Sequence, residues 1–184
     1  MARGDGSQSG EAAEQRAVAL LARRPHTEAE LRRALAAAGF PDEAIEATLA
    51  RLRDRGYVGD HALAVQYIVS RAERLGHAPA RLAAELRARG VSEEVLREAE
   101  REARELHGID ALQLVRREVG RRGAGRGADP RRNARVYNAL LRAGYEADLL
   151  RAVLGIGPAS DDGAGETPAG RWRAPRSSED ESEP

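Results

Sequence analysis

The chain has no cysteine and no lysine, and aromatic residues make up only 3% of its 184 residues. Without cysteine it cannot form disulfide bonds or a thiolate metal site. Without lysine it cannot carry the phosphate-binding loop of nucleoside triphosphatases. No apolar run approaches the roughly 20 residues that cross a bilayer, and no signal peptide begins the chain. We therefore expect a soluble, cytoplasmic protein.

The residues that remain show no recognisable catalytic or metal-binding arrangement. The glycine-rich segment 123–128 superficially fits a dinucleotide-binding fingerprint, but it follows a helical pattern, whereas that fingerprint needs a preceding strand. We interpret the segment as a flexible basic loop. The four histidines are far apart and never share a helix face at ligand spacing: His26, His61, His77 and His107. We expect no enzyme activity, no bound metal and no cofactor.

The formal net charge is zero, yet positive and negative residues are separated along the chain. Residues 16–154 carry 26 arginines and 20 acidic residues, whereas residues 155–184 carry three arginines and seven acidic residues. A moderately basic body with an acidic tail suits an anionic partner. Trp172 lies between two arginines of this tail, where an indole can stack on a base or dock in a groove.

Apolar residues recur at spacings of three and four, which is typical of α-helices, and almost no segment has the alternation of a strand. Three such stretches end in a glycine followed by a large apolar residue, and the glycines are 51 and then 54 residues apart: Gly39-Phe40, Gly90-Val91 and Gly144-Tyr145. Recurrence at this period indicates tandem helical units, which we expect to bury their apolar faces mainly against neighbouring units.

The pattern predicts an all-α protein with nine helices in three triplets, each resembling the three-helix core of helix-turn-helix proteins. Local signals predict a capping box at Thr27 and Glu30, N-caps at Asp60 and Ser92, first helical residues at Pro41, Pro79 and Pro130, and a C-cap with positive φ at each of the three glycines. We expect three tandem repeats in an elongated, curved array, with disordered termini. The predicted segments are a disordered N-terminal tail (1–10), repeat 1 (11–58), repeat 2 (59–107), repeat 3 (108–154) and a disordered acidic C-terminal tail (155–184).

Arginines are the candidate binding residues. Among the arginines with a glutamate four residues earlier, four pairs predict ion pairs on the helix surface: Glu28/Arg32, Glu85/Arg89, Glu93/Arg97 and Glu100/Arg104. Other arginines have no acidic residue four positions earlier. A second cluster of arginines surrounds the glycine-rich loop and includes Arg121, Arg122 and Arg135. These are candidates for contact with phosphates or acidic protein groups: Arg23, Arg24, Arg33, Arg51, Arg55, Arg71, Arg74, Arg81, Arg87, Arg126, Arg131 and Arg132.

Several segments resemble the RecX family, regulators of the RecA recombinase. Residues 19–33 are similar to the opening motif of the family, and residues 52–60 to its Gly-Tyr-(Leu/Ile)-x-Asp segment. Residues 79–91 are similar to its second repeat, and Arg142-Ala143-Gly144-Tyr145 to the turn of its third. The sequence departs from the family at His77-Ala78, where Tyr-Gly is usual, and at Gly59 and Leu63, where an acid and a nearby aromatic are common.

The resemblance covers residues 15–154 and implies a curved helical array that lies along the RecA filament on single-stranded DNA. It also implies inhibition of the ATPase, recombinase and coprotease activities of RecA, and hence a role in DNA repair, homologous recombination and the SOS response. We expect a monomer that binds this filament, with single- or double-stranded DNA as a further partner through the arginine-rich faces.

The helical triplets leave two other hypotheses open. One is a sequence-tolerant, helix-turn-helix-like DNA-binding protein that acts without RecA, although no helix has Arg, Asn or Gln spaced for base edges. The other is a protein scaffold that needs no DNA. A further hypothesis is that the acidic tail competes with DNA for the basic faces of the helices.

Overall fold

The computed structural model describes residues 4–157, with side chains from residue 9 onward. In this part of the chain the regular secondary structure is entirely α-helical, as predicted, and no helix is long and apolar enough to span a bilayer. Nine helices follow in chain order: α1 (Gly4–Leu21), α2 (Glu28–Ala37), α3 (Asp42–Asp54), α4 (Asp60–Leu75), α5 (Pro79–Ala88), α6 (Glu93–His107), α7 (Ala111–Arg121), α8 (Pro130–Arg142) and α9 (Ala147–Leu154).

Four of the helices, α2, α6, α7 and α8, begin at a residue whose side chain caps the helix. The Oγ1 of Thr27 accepts a hydrogen bond from the N–H of Glu30 at 3.1 Å, and the Glu30 carboxylate accepts the N–H of Thr27 at 3.1 Å. This reciprocal pair is the predicted capping box, which satisfies two N–H groups at the start of α2. Ser92 caps α6 through its side chain, as predicted, and Asp110 caps α7 in the same way.

Three helix starts differ from prediction. Pro41 is the N-cap of α3 rather than its first helical residue, and Gly59 rather than Asp60 is the N-cap of α4. Helix α1 begins at Gly4, within the segment where we expected an irregular tail. This part of α1 is tied to α3, because Arg51 donates to the backbone oxygen of Gly10 at 3.3 Å. Residues 1–3 and 158–184, with Trp172, lie outside the described part.

The three predicted turn glycines all adopt positive φ. Gly39, Gly90 and Gly144 have φ values of 86°, 97° and 96°. Because an L-residue with a side chain rarely adopts this conformation, glycine ends the second helix of each triplet and lets the third begin at once. The next residue is buried in two turns, at Val91 and Tyr145.

Helices pack closely within triplets rather than between them. Repeat 1 comprises α1–α3, repeat 2 comprises α4–α6 and repeat 3 comprises α7–α9, and each closely packed helix pair belongs to one of these repeats. Leu31, Leu35 and Leu49 are fully buried among helices of repeat 1 alone. The expectation that neighbouring repeats bury most of each apolar face is therefore wrong. Ala13 and Ala17 explain part of this, since small side chains let α1 approach α2 and α3 closely.

The two junctions between repeats differ in chemistry. Repeat 1 has its own hydrophobic cluster, whereas repeats 2 and 3 share one continuous cluster. Ala78, Ile109 and Tyr145 belong to that shared cluster and line the space between repeats 2 and 3. The junction between repeats 1 and 2 instead depends on hydrogen bonds and an ion pair.

Candidate partner-binding groove

An arginine that ends α5 holds repeats 1 and 2 together. Arg89 donates from Nε and Nη2 to the two carboxylate oxygens of Glu30, both at 3.0 Å, and from Nη2 to the oxygen of Pro25 at 3.3 Å. Its own carbonyl accepts from the Oγ1 of Thr27 at 2.9 Å. Two parallel N–H···O bonds give this ion pair a fixed geometry. Arg89 was predicted to pair with Glu85 on its own helix, and that prediction is wrong.

Asp60 accepts a second hydrogen bond across the same junction. Its Oδ1 accepts the N–H of Glu28, the first residue of α2, at 2.9 Å. A carboxylate in repeat 2 therefore caps a helix in repeat 1. Burial raises the pKa of Asp60, and the N–H of Glu28 partly opposes that rise. Thr27, Asp60 and Arg89 all belong to segments that carry the family resemblance, and their contacts here are between repeats.

The Glu30 carboxylate stays ionised at this junction. Partial burial raises the pKa of Glu30, but hydrogen bonds from Arg89 and the Thr27 backbone outweigh burial, and the net effect lowers it to about 2. Arg24 adds a further bond to Glu30, at 3.1 Å. The pair with Arg89 is consequently charged throughout the neutral pH range.

A groove of about 440 Å³ opens beside this network, between the segment that follows α1 and one face of α4. We call it the junction groove. Four guanidinium groups and one aromatic ring line it, which makes it positively charged and suited to phosphate or carboxylate groups. Its lining residues are Arg24, Pro25, Leu63, Gln66, Tyr67, Ser70, Arg71, Arg74 and Arg89.

Tyr67 lines the junction groove and is held there by three side chains. The guanidinium carbon of Arg71 lies 4.3 Å from the centroid of its ring, and that of Arg89 lies 5.5 Å away. Both distances are within the range of a cation–π interaction. The hydroxyl of Tyr67 donates to the Oε2 of Glu85 at 2.6 Å, and this bond lowers the pKa of the Glu85 carboxyl. The ring therefore orients two cations that border the groove.

The structure brings together three of the predicted contact residues, Arg24, Arg71 and Arg74, in the junction groove. Sequence reasoning missed Tyr67 and Arg89. The spacing of four between Tyr67 and Arg71 was a usable signal, because residues four apart on a helix are neighbours. No comparable local signal marked Arg89, whose partners lie 59 to 64 residues away in the chain.

Most other predicted contact residues of repeats 1 and 2 have protein partners. Arg51 donates to Glu14 at 2.9 Å, and Arg55 also pairs with Glu14. Arg23 is exposed in the turn after α1. The remaining partners are Glu85 and the oxygen of Arg142 for Arg81 (both 2.9 Å), Glu93 for Arg87 (3.0 Å) and the oxygen of Arg89 for Arg33 (3.2 Å).

The four predicted ion pairs at spacing four are wrong for the described helices, because in none of them does a guanidinium nitrogen lie within 4.0 Å of the carboxylate. Arg97 donates to the backbone oxygen of Glu93 instead, at 3.3 Å. Arg32 donates instead to both carboxylate oxygens of Glu46, at 2.6 and 3.0 Å. Glu28 accepts from Arg53, at 2.9 and 2.6 Å. At Arg32 and Arg53 a glutamate on a neighbouring helix meets the planar guanidinium with two bonds, a geometry that strengthens the ion pair.

Repeat 3 contains a larger groove, of about 820 Å³, between the glycine-rich loop, α8 and the end of α9. Arg126 lines it and packs against Gly155. The loop was predicted to be flexible, but Asn133 holds it through two hydrogen bonds with the backbone of Gly125, at 3.0 and 2.9 Å. Arg132 donates to the loop as well, at 3.2 Å from the oxygen of Gly123. Arg131 is exposed in the first turn of α8.

Within the described residues, no three His, Asp or Glu side chains lie close enough together to hold a metal ion. The geometry of the junction groove instead favours binding of an anionic macromolecule, since its cations are spread over two repeats.

Comparison with known proteins identifies relatives over most of the chain. The first three-helix domain of RecX matches residues 13–52, and the second matches residues 60–99. The regulatory protein RecX of Halorhodospira halophila is 37% identical over 83% of this chain and 92% of its own. That of Mycolicibacterium vanbaalenii is 38% identical over 82% of this chain and 84% of its own.

Solved structures agree with the fold. The crystal structure of RecX from Lactobacillus salivarius superposes with a TM-score of 0.62 at 15% identity, covering 81% of this chain and 96% of that one. A second crystal structure of a regulatory protein RecX has a TM-score of 0.58 at 20% identity, covering 79% of this chain and 71% of that one. With this fold, and with sequence identity of 37–38% to regulatory proteins along the repeats, the chain belongs to the RecX family.

Proposed function

We propose that this protein binds the RecA filament on single-stranded DNA and inhibits its ATPase, recombinase and coprotease activities. The observation that carries the proposal is family membership, because the relatives are regulatory proteins RecX that match 82–83% of this chain. Such a regulator acts by binding rather than by catalysis, and it works in the cytoplasm, where it contributes to homologous recombination and the SOS response.

The junction groove is the proposed contact surface. A nucleoprotein filament presents phosphates and acidic side chains, and the groove offers the guanidinium groups of Arg24, Arg71 and Arg74 around the ring of Tyr67. These side chains come from both repeats 1 and 2, so the groove can follow an extended partner better than a single helix can. Charge steering by such a surface raises association rates at low salt.

The test is ATP hydrolysis by purified RecA on single-stranded DNA, measured with increasing amounts of this protein. The proposal predicts that turnover falls as the protein approaches the concentration of RecA. Unchanged turnover at several-fold molar excess would contradict it. A gel-shift assay with duplex DNA and no RecA distinguishes this proposal from the hypothesis of a DNA-binding protein that acts alone. That hypothesis requires strong binding to the duplex, with an affinity that falls steeply as the salt concentration rises.

A further inference from the structure

The two junctions between repeats share one contact. In each, the carbonyl of the residue before the turn glycine accepts a hydrogen bond from the N-cap residue of the second helix in the preceding repeat. Ala78, the N-cap of α5, donates its N–H to the oxygen of Ala143 at 3.0 Å. Thr27, the N-cap of α2, donates its hydroxyl to the oxygen of Arg89 at 2.9 Å.

The turn glycine permits this approach. A Cβ atom placed on Gly144 would lie 2.7 Å from the Cβ of Arg81, and one placed on Gly90 would lie 2.4 Å from the Cβ of Ala29. Both distances are far below van der Waals contact. Glycine at these turns therefore has a second role besides positive φ, which is to let the preceding repeat come close.

Each end of the described array has one of the two surfaces that form this contact, without the other surface against it. The two surfaces are the turn around the glycine and the start of the second helix of a repeat. Gly39 has the same backbone conformation, with a φ of 86°, but apart from its two chain neighbours no atom of residues 4–157 lies within 4 Å of its Cβ position. At the other end, the N-cap of α8 is Asp129, which is exposed, whereas the equivalent Thr27 and Ala78 are buried.

The two end surfaces have residues similar to those that form the junction between repeats 2 and 3. The first turn, Ala38-Gly39-Phe40, corresponds to Ala143-Gly144-Tyr145, and the start of α8, Asp129-Pro130, corresponds to Ala78-Pro79. Three residues after the cap stands an arginine in both helices. Arg81 uses its Nη1 to bind the oxygen of Arg142, just before the turn, at 2.9 Å. The equivalent Arg132 is exposed; its Nη1 donates to the oxygen of Gly123 at 3.2 Å, so a docked turn would be bound through its other guanidinium nitrogens.

We propose that copies of this protein associate head to tail, with the Gly39 turn of one copy docked on the start of α8 in the next. The contact continues the two junctions already present inside the chain, so a row of copies forms one longer array of repeats. Arg132 binds the carbonyl of Ala37 in the neighbouring copy, as Arg81 binds that of Arg142. Such a contact joins two different surfaces and leaves both ends open for further copies.

This association is weak in free solution. One turn and one helix start bury far less area than the roughly 1,200 Å² of a small stable interface. Dilute protein is therefore monomeric, and the row of copies forms at high protein concentration or where a shared binding partner holds copies side by side.

Engineered cysteines test the contact, because the native chain has none. One protein carries Ala38→Cys, and a second, with a cleavable tag, carries Arg131→Cys; both positions are exposed, and circular dichroism checks that both proteins fold. Mixed under mild oxidation at high concentration, they are expected to form the mixed disulfide several-fold faster than either forms a homodimer.

The control replaces Arg131→Cys by Arg101→Cys, at an exposed position on α6. Formation of the mixed disulfide at the control rate would overturn the proposal, as would faster formation of either homodimer. Adding Arg132→Ala is expected to slow the specific reaction several-fold. If the mixed disulfide forms quickly only after residues 158–184 are removed, the occupant of this surface is the chain's own C-terminal segment, and the proposal is again overturned.

Discussion

At the scale of single residues, Arg89 contributes most to how the repeats are joined. Its guanidinium binds Glu30 and Pro25 in repeat 1, its carbonyl accepts from Thr27, and its charge faces the ring of Tyr67. It is therefore both a wall of the junction groove and the support that holds the groove in shape.

Replacing Arg89→Ala is expected to lower the free energy of unfolding by about 1–3 kcal/mol, because Glu30 is left partly buried without its main partner. Urea unfolding followed by circular dichroism measures the change. Arg101→Ala, which removes an exposed arginine from α6, is the matched control and is expected to change stability by less than about 0.5 kcal/mol. Equal effects of the two variants would contradict the proposed role of Arg89.

The same ion pair predicts a pH dependence. The pKa of Glu30 is lowered from 4.5 to about 2 in the folded protein, so its contribution to stability is complete above pH 4.5 and is lost as pH falls towards 2. We expect Glu30→Gln to be less stable than the native chain at pH 7 and the difference to shrink between these two pH values. A difference that stays constant down to pH 2 would show that Glu30 is not an ionised partner in the junction.

At the scale of helices and turns, the three turn glycines differ in their surroundings although their backbones agree. Gly39→Ala is expected to cost about 1–2 kcal/mol from the strain of positive φ alone. Gly90→Ala carries the same strain and also forces its new Cβ against Ala29, at 2.4 Å, which adds about 1–3 kcal/mol. Thermal unfolding of the two variants compares these costs, and equal shifts in Tm would contradict the inter-repeat contact.

The sequence predicted these elements well where the signal was local. The capping box of Thr27 and Glu30, the prolines that start α5 and α8, and the turn glycines each depend on residues a few positions apart. The ion pairs were not predictable in this way, because Glu46 reaches Arg32 from another helix. The junction groove was found only in part, since its shape depends on how repeats 1 and 2 meet.

At the scale of the whole molecule, the two hydrophobic clusters predict unequal coupling between repeats. Repeats 2 and 3 share one cluster, whereas repeat 1 has its own and meets repeat 2 through polar contacts. Hydrogen exchange is expected to show repeat 1 opening independently of the others, and Arg89→Ala is expected to increase this independence. Identical exchange free energies along α2, α5 and α8 would contradict the separation.

If the junction groove engages the RecA filament, its arginines determine how much of this protein is needed to inhibit RecA. ATP hydrolysis by RecA on single-stranded DNA is compared in the presence of the native chain, of Arg71→Ala/Arg74→Ala, and of Arg101→Ala/Arg116→Ala, which removes the same charge from exposed positions outside the groove. Binding through the groove predicts that the native chain and the control double variant inhibit at the same concentration. The Arg71→Ala/Arg74→Ala variant is then expected to need at least about tenfold more protein for equal inhibition. Inhibition by that variant at the native concentration would contradict binding through the groove.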